Sequence, residues 1–287
     1  MDSSTRIEKG LAVAIGHAEQ PGCPPRLIAA MRHAVFPAGA RLRPRLSLAV
    51  ALSCGEADLR IPMAAAVAIE LLHCASLVHD DLPCFDDADT RRGRPSVHRA
   101  FGEPLAVLAG DALIVLAFQT LARMPPTARL GSVLSSVGAG VGTPAGIVAG
   151  QAWECEPVAD LATYHRLKTG ALFAAATMAG AAAAGVDPGP WRALGEGIGE
   201  AFQVADDIRD ATASAEEMGK PAGRDAALDR PSAVRTLGLD GAIGRLDRLV
   251  GEAVAAIPPC PGAAELRALI RHEAKRLLPA KLARRAA

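Results

Sequence analysis

Apolar residues recur along most of the chain at helical spacing, and almost no segment alternates apolar and polar residues as a strand would. In the run at 62–82, for example, Glu70, His73 and Leu77 are spaced three and four apart and share one face. The runs that predict helices are 1–35 with a break at Pro21–Pro25, 45–56, 62–82, 104–123, 127–152, a segment from about 161 into the Ala-rich stretch 169–186, 191–210, 239–257 and 263–285. The pattern predicts an all-α fold.

Composition is consistent with one such domain over 1–287, because half of the 287 residues are hydrophobic and no low-complexity linker divides the chain. Lys and Arg (31) balance Asp and Glu (31), so we expect no nucleic-acid partner. Six cysteines without a C-x-x-C pair and no signal-peptide pattern favour a cytoplasmic protein. Two charge-poor stretches, 130–153 and 169–186, are predicted to be buried core helices, so we expect no transmembrane segment.

A dense acidic cluster follows the run at 62–82, with five aspartates in ten residues: Asp80, Asp81, Asp86, Asp87 and Asp89. Carboxylates this close repel one another unless cations lie among them, and oxygen ligands suit Mg²⁺. Pro83 cannot continue a helix. A loop through 82–85 is therefore expected to bring Asp86 back beside Asp80.

A second acidic cluster, Asp206, Asp207 and Asp210, ends the run at 191–210, and Asp206 and Asp210 face one way on a helix. The polar stretch 211–232 after it is predicted to be a flap. Basic residues that could flank the clusters are Arg91, Arg92, Arg94, Lys168, Lys220 and Arg224. Carboxylate-held Mg²⁺ with Arg and Lys indicates a diphosphate ligand. Because no glycine-rich phosphate loop is present, carbon–oxygen ionisation is favoured over phosphoryl transfer.

A single D-D-x-x-D on a surface helix is usually only a solvated face, whereas two such clusters favour a metal site. A separate basic group, Arg41, Arg43 and Arg45, is equally well explained as an anion site or as a solvated helix start.

These motifs together resemble the trans-isoprenyl (polyprenyl) diphosphate synthases, and within that family the bacterial members that make geranylgeranyl diphosphate for pigment synthesis. The resemblance covers nearly the whole chain and rests on segments 39–44 (GARLRP), 70–73 (ELLH), 79–87 (HDDLPCFDD), 91–93 (RRG), 168–170 (KTG), 202–210 (FQVADDIRD) and 219–221 (GKP). It implies a single-domain antiparallel helix bundle of the isoprenoid synthase type with a deep central cavity, assembled as a homodimer.

The resemblance also implies roles for individual residues. Asp80 and Asp86 would bind Mg²⁺ from one side and Asp206 from the other, with three ions per site and Mn²⁺ as a substitute. The supporting aspartates would be Asp81, Asp207 and Asp210. The allylic diphosphate (C5, C10 or C15) would be held by Arg91, Lys168, Thr169, Gln203 and Lys220. Isopentenyl diphosphate would be held by Arg43, His73 and Arg92.

The chain departs from the family pattern at two positions. Ala40 stands where the family usually has a Lys that contacts isopentenyl diphosphate, and Arg41 or Arg45 is expected to substitute for it. Arg230 replaces a further Lys beyond the flap. Product length is expected to follow from Ala75 and Ser76, just before the first cluster, where short-chain members often carry an aromatic residue. Small residues there favour C20 over C15.

Four alternatives remain open at this point. They are a farnesyl (C15) diphosphate synthase, a non-catalytic partner subunit of a prenyl synthase, a class I terpene cyclase and a di-iron carboxylate protein. The cyclase is disfavoured because the second cluster reads D-D-x-x-D and aromatic residues are scarce. The di-iron protein would need Glu-x-x-His twice, and only Glu70 to His73 fits.

Overall fold

A computed structural model describes residues 2–36, 39–157, 163–164, 166–212 and 232–277. Nearly all of the regular structure in these ranges is helical, as predicted. The α-helices are α1 (Ser3–Ala18), α2 (Pro25–Val35), α3 (Leu42–Ser53), α4 (Arg60–Asp80), α5 (Val97–Phe101), α6 (Glu103–Ala122), α7 (Ala128–Val141), α8 (Ile147–Ala152), α9 (Ala171–Ala183), α10 (Arg192–Thr212), α11 (Ala233–Ala255) and α12 (Ala263–Leu277). Short 3₁₀ segments lie at Trp153–Cys155 and Gly189–Trp191, and a π-helical turn lies at Arg166–Gly170.

Helix boundaries follow local chemistry. The Asp2 carboxylate accepts a hydrogen bond from Thr5 N at 2.7 Å and begins α1. Pro25 is the first residue of α2, where its missing N–H costs nothing. Ser232 begins α11 by accepting from Val234 N at 3.3 Å. Between α4 and α5 lies a two-stranded antiparallel hairpin, β1 (Thr90–Arg91) and β2 (Arg94–Pro95).

Helix α4 is the centre of the bundle, and its neighbours include α1, α3, α6, α7 and α9. Fourteen of its residues are buried, as expected for a helix that is apolar on nearly every side. Helix α9 is the Ala-rich stretch predicted to be core, and eleven of its residues are buried. Small residues allow close approach there, because a Cβ added to Gly180 would lie 2.3 Å from Ser47 O on α3.

The helices that come nearest to a membrane span are not the two stretches considered from the sequence. By length and composition, α4 and α6 are long and apolar enough, with 72% and 39% of their most apolar windows buried in the bundle. The outer face of α6 exposes Val107 (42%), Leu108 (52%) and Val115 (55%). Helix α6 therefore carries an apolar face that the described part of the bundle leaves uncovered.

Several sequence expectations lie outside the described residues. They include most of the predicted flap, with Lys220, Arg224 and Arg230, and the end of the last predicted helix.

Candidate active site

A cavity of about 530 Å³ opens where α3, α4, α8 and α10 converge. Carboxylates from both acidic clusters line it, although more than 100 residues separate them along the chain. The lining acids of the two clusters are Asp80, Asp86, Asp206 and Asp207. Basic and polar residues complete much of the wall: Arg41, Arg43, His73, Ser76, Arg91, Arg92, Gln151, Tyr164, Lys168, Thr169, Gln203 and Arg209.

The loop after α4 returns as the sequence predicted. Asp86 N donates to Asp80 O at 3.0 Å, and Ala88 N donates to Asp81 O at 3.1 Å. Pro83 ends the helix and lets these later residues fold back over its last turn. The loop therefore places Asp80 and Asp86 on one side of the cavity.

Asp80 is paired with a lysine on the facing π-helical turn. Lys168 Nζ lies 2.9 Å from Asp80 Oδ1 and 2.6 Å from Glu154 Oε1, and Tyr164 donates a hydrogen bond to the same Glu154 oxygen. Burial alone would lower the pKa of the Lys168 ammonium, but Asp80 and the neighbouring acids raise it above its usual value. Lys168 is therefore charged and shared between two carboxylates.

Asp206 and Asp207 of the second cluster have different surroundings and partners. Asp206 faces the cavity and accepts a hydrogen bond from Arg209 Nη2 at 2.7 Å. Asp207 is buried, and its two oxygens accept from Gln203 Nε2 at 3.2 Å and from Ala233 N at 2.8 Å. Asp207 thus ties the end of α10 to the start of α11.

A basic cluster with unused donors forms part of the cavity wall. Arg43 Nε, His73 Nδ1 and Arg92 Nη1 are buried and have no hydrogen-bond partner among the described residues. The Arg43 guanidinium lies 4.2 Å from the centre of the Phe173 ring, and its Nη1 is 3.4 Å from His73 Nε2. Buried polar atoms without partners are costly, so three of them on one wall point to an anionic ligand.

Burial and the neighbouring cations also shift the titration of this cluster. Burial is the main cause that lowers the pKa of Arg43 to about 10; Glu70 opposes this shift and the charge of Arg92 adds to it. Burial, followed by the charges of Arg43 and Arg92, holds the pKa of His73 well below its usual value. At neutral pH Arg43 is therefore charged and His73 is neutral.

Arg41 and Arg45, the expected substitutes for a lysine at position 40, are both held by carboxylates. Arg41 pairs with Glu8 and Glu70, and its side chain is only 3% exposed. Arg45 pairs with Glu273 of α12 through two hydrogen bonds of 2.9 and 2.7 Å. Both guanidiniums are therefore engaged by carboxylates in this structure, and only Arg41 lines the cavity. That one of them replaces the lysine stays a prediction.

Three other residues predicted for the site, Asp81, Asp210 and Ala75, are not among the residues that line the cavity. Asp81 is 2% exposed and accepts hydrogen bonds from the Arg91 guanidinium, so it orients Arg91 rather than facing the cavity. Asp210 is not among the residues that line the cavity, and Ala75 lies in the core while Ser76 lines the wall. Thr169 and Gln203 line it together, joined by a hydrogen bond of 3.1 Å.

The sequence reading missed Glu154, Tyr164 and Gln151. Gln151 Nε2 lies 3.4 Å from Asp80 Oδ1 and donates to Ser76 O at 3.3 Å. The available signal in the sequence was the pair Gln151 and Glu154, three residues apart where the long apolar run 127–152 ends. Polar residues at the end of a buried run often belong to a site.

The donor set fits a hard divalent cation. Among the described residues no group of three or more His, Cys, Asp or Glu could hold a metal ion by itself. Mg²⁺ does not need such a cage, because it keeps several waters and binds through one or two carboxylates plus substrate phosphates. Asp80, Asp86 and Asp206 provide carboxylate oxygens from both sides of the cavity.

A helical bundle that joins two aspartate clusters and a basic wall around one cavity defines a class of all-α proteins that bind metal-bound diphosphates. Comparison with known proteins gives the same answer. The polyprenyl synthetase family model matches residues 24–254. The chain belongs to that family and is a prenyltransferase.

Individual relatives cover nearly the entire chain. It is 52% identical to a geranylgeranyl diphosphate synthase of Cereibacter sphaeroides over 98% of both chains. It is 51% identical to one of Rhodobacter capsulatus over 97% of both. A geranyltransferase from Helicobacter pylori, solved with magnesium and isoprenyl diphosphate, superposes with a TM-score of 0.81 at 31% identity, covering 94% of this chain and 95% of that one.

Proposed function

We propose that the protein makes geranylgeranyl diphosphate (C20) by successive head-to-tail condensations of isopentenyl diphosphate with allylic diphosphates, assisted by Mg²⁺. The carrying observation is the meeting, across one cavity, of both acidic clusters with a buried basic cluster that has unused donors. Two charged subsites are what a reaction between two diphosphates requires. The names of the two relatives that are about half identical support the C20 product.

The acidic clusters are assigned to the allylic side of the reaction. Asp80 and Asp86 would hold Mg²⁺ from one wall and Asp206 from the other, with three ions per site once diphosphate is bound. Mg²⁺ held by these aspartates would supply positive charge to the diphosphate leaving group and so would favour cleavage of the allylic carbon–oxygen bond. Lys168 and Arg91 add positive charge to the same group, and Asp81 keeps Arg91 in place.

The basic cluster is assigned to isopentenyl diphosphate. Arg43, His73 and Arg92 each present one buried nitrogen without a partner among the described residues. A diphosphate has enough acceptor oxygens to satisfy all three. Held there, the isopentenyl double bond attacks the allylic carbon as the diphosphate leaves, and the product loses a proton to the departing diphosphate. No protein base is needed for that proton.

The position of Ser76 favours a long product. Ser76 and Leu77 line the cavity one turn below Asp80, and neither side chain is aromatic. A small residue on this wall leaves room for the growing tail. Ala75, the other residue predicted to control length, is 1% exposed and packed in the core.

We also propose that the protein is a cytoplasmic homodimer that pairs through α6. The outer face of α6 exposes Val107, Leu108 and Val115, and the only charged residue between these three is Asp111. An uncovered apolar face of this kind fits a second copy better than water. Sedimentation of the wild type and of Leu108→Glu tests this: a dimer that becomes monomeric supports it, and an unchanged mass opposes it.

The decisive test of function is incubation with isopentenyl diphosphate, Mg²⁺ and each of the C5, C10 and C15 allylic diphosphates, followed by sizing of the dephosphorylated alcohols. We expect C20 from all three primers. A C15 end product from the C5 and C10 primers would indicate a farnesyl diphosphate synthase. No product from any primer would indicate a non-catalytic subunit, and full turnover in excess chelator would refute the metal-assisted mechanism.

A further inference from the structure

Arg41 occupies an unusual position at the edge of the basic cluster. It lies in the left-handed region (φ 49°, ψ 36°) immediately before α3, a conformation that costs energy for a residue with a Cβ. Its side chain turns into the protein and makes three strong hydrogen bonds. Nε donates to Glu8 Oε1 at 2.7 Å, Nη1 to Glu70 Oε1 at 2.5 Å and Nη2 to Val35 O at 2.7 Å.

Glu70 is the carboxylate through which Arg41 can influence the ligand site. Its side chain is 2% exposed, so its charge must be balanced by nearby cations. The oxygen that accepts from Arg41 also lies 3.8 Å from Arg92 Nη2. Glu70 therefore stands between a guanidinium that is fully occupied and one that retains an unused donor, the Nη1 of Arg92.

We propose that Arg41 is a positioning residue that sets the affinity for isopentenyl diphosphate without touching it. By pairing with Glu70, Arg41 prevents that carboxylate from closing onto Arg92 and Arg43 and cancelling the charge that binds the diphosphate. Glu8 of α1 and the Val35 carbonyl hold Arg41 in this arrangement. The inference rests on the proposed function, because it assumes that Arg43, His73 and Arg92 bind isopentenyl diphosphate.

The competing explanation is direct contact, in which Arg41 supplies the charge that Ala40 does not. The two explanations differ in what Glu70 does. If Arg41 acts by occupying Glu70, removing the Glu70 charge makes Arg41 dispensable for binding. If Arg41 contacts the diphosphate, removing Glu70 cannot replace it.

The experiment compares KM for isopentenyl diphosphate and KM for the allylic substrate in Arg41→Met, in Arg41→Met/Glu70→Gln and in two reference variants. Arg41→Met is expected to raise the isopentenyl KM about tenfold, because the released Glu70 carboxylate would take one charged hydrogen bond of Arg92 away from the diphosphate. The allylic KM should change less than about threefold, because Lys168 and Arg91 are untouched. The matched control is Arg45→Met, which removes an arginine paired with Glu273 outside the cavity and should leave the isopentenyl KM unchanged.

The double variant decides between the explanations. It removes a positive and a negative charge together, and we expect its isopentenyl KM to return to within about threefold of wild type. If Arg41→Met does not fold, the double variant compared with wild type still decides, because it leaves no uncompensated charge at Glu70.

Three results would overturn the inference: a double variant that binds isopentenyl diphosphate as weakly as Arg41→Met, an Arg41→Met variant with an unchanged isopentenyl KM, or equal losses for both substrates. Arg92→Met separates these from failure of the proposed function. A raised isopentenyl KM in that variant supports the assignment of the basic cluster, and an unchanged one refutes the assignment itself.

Discussion

Position 40 offers the sharpest test of how this chain binds isopentenyl diphosphate. Ala40 is exposed, lines the cavity and follows Gly39, where an added Cβ would lie 2.9 Å from Arg92 Nε. A lysine at 40 would place an ammonium beside the basic cluster. Because Arg41 and Arg45 are both paired with carboxylates, that ammonium would add a donor that the site lacks.

The size of the effect can be worked from these surroundings. A hydrogen bond to a charged group is worth about 1.5–3 kcal/mol. Exposure of position 40 and repulsion from Arg43 and Arg92 reduce this, so the lower end applies. About 1.4 kcal/mol corresponds to a tenfold change in a binding constant. We therefore expect Ala40→Lys to lower the isopentenyl KM about tenfold while the allylic KM stays the same.

The assay measures the isopentenyl KM at saturating allylic diphosphate and Mg²⁺, at low and high salt. The matched control is Ala40→Met, which adds similar length without charge. The gain in affinity should shrink at high salt, because the screening length falls from about 10 Å at 0.1 M to about 3 Å at 1 M ionic strength. Equal isopentenyl KM values for the Lys and Met variants would refute the reasoning, because they would mean that the site has no missing charge.

Ser76→Phe should shorten the product to about C15, because Ser76 lines the cavity, whereas Ala75→Phe should overpack the core and lower stability by about 1–3 kcal/mol. Sizing of the product alcohols tests the first effect and thermal melting tests the second. A C20 product from Ser76→Phe would contradict the assignment of Ser76. Glu154→Gln should let Lys168 pair fully with its other carboxylate and raise the apparent Mg²⁺ constant for activity about tenfold; an unaltered Mg²⁺ titration would rule this out. Because the folded pKa of His73 is depressed, its contribution to stability is present above about pH 6.5 and is lost as the pH falls below it. Below that pH, the free energy of unfolding of His73→Gln, measured with denaturant, should therefore fall less steeply with decreasing pH than that of the wild type, by up to about 1.4 kcal/mol per pH unit. Identical slopes for the two proteins would count against a neutral buried His73.

Much of the fold and part of the site could be predicted from local pattern. Helical spacing and proline breaks gave most helices to within a few residues, because burial of one apolar face and the loss of an N–H are local effects. The return of Asp86 to Asp80 followed from Pro83 alone. The meeting of Asp80 with Asp206 needed the resemblance to a family, since periodicity does not say which helices become neighbours.

The partners of individual charges could not be predicted. From the sequence, Arg41 and Arg91 look equally able to bind an anion. In the structure, Arg41 forms ion pairs with Glu8 and Glu70, whereas Arg91 pairs with Asp81. Such pairings depend on side chains that reach across helices distant in the chain. Glu154 was overlooked for the same reason, because its importance comes only from the distance to Lys168.

The Lys168 ammonium, 2.9 Å from Asp80, has a consequence for the life of the protein outside turnover. A site built only from acids would strain the bundle whenever divalent ions ran short, and the chain would be lost along with its activity. In this protein the Lys168 ammonium balances part of the negative charge of the site when no divalent ion is bound. If Asp80 binds Mg²⁺ as proposed, the protein depleted of divalent ions should stay folded and regain its activity when Mg²⁺ is restored.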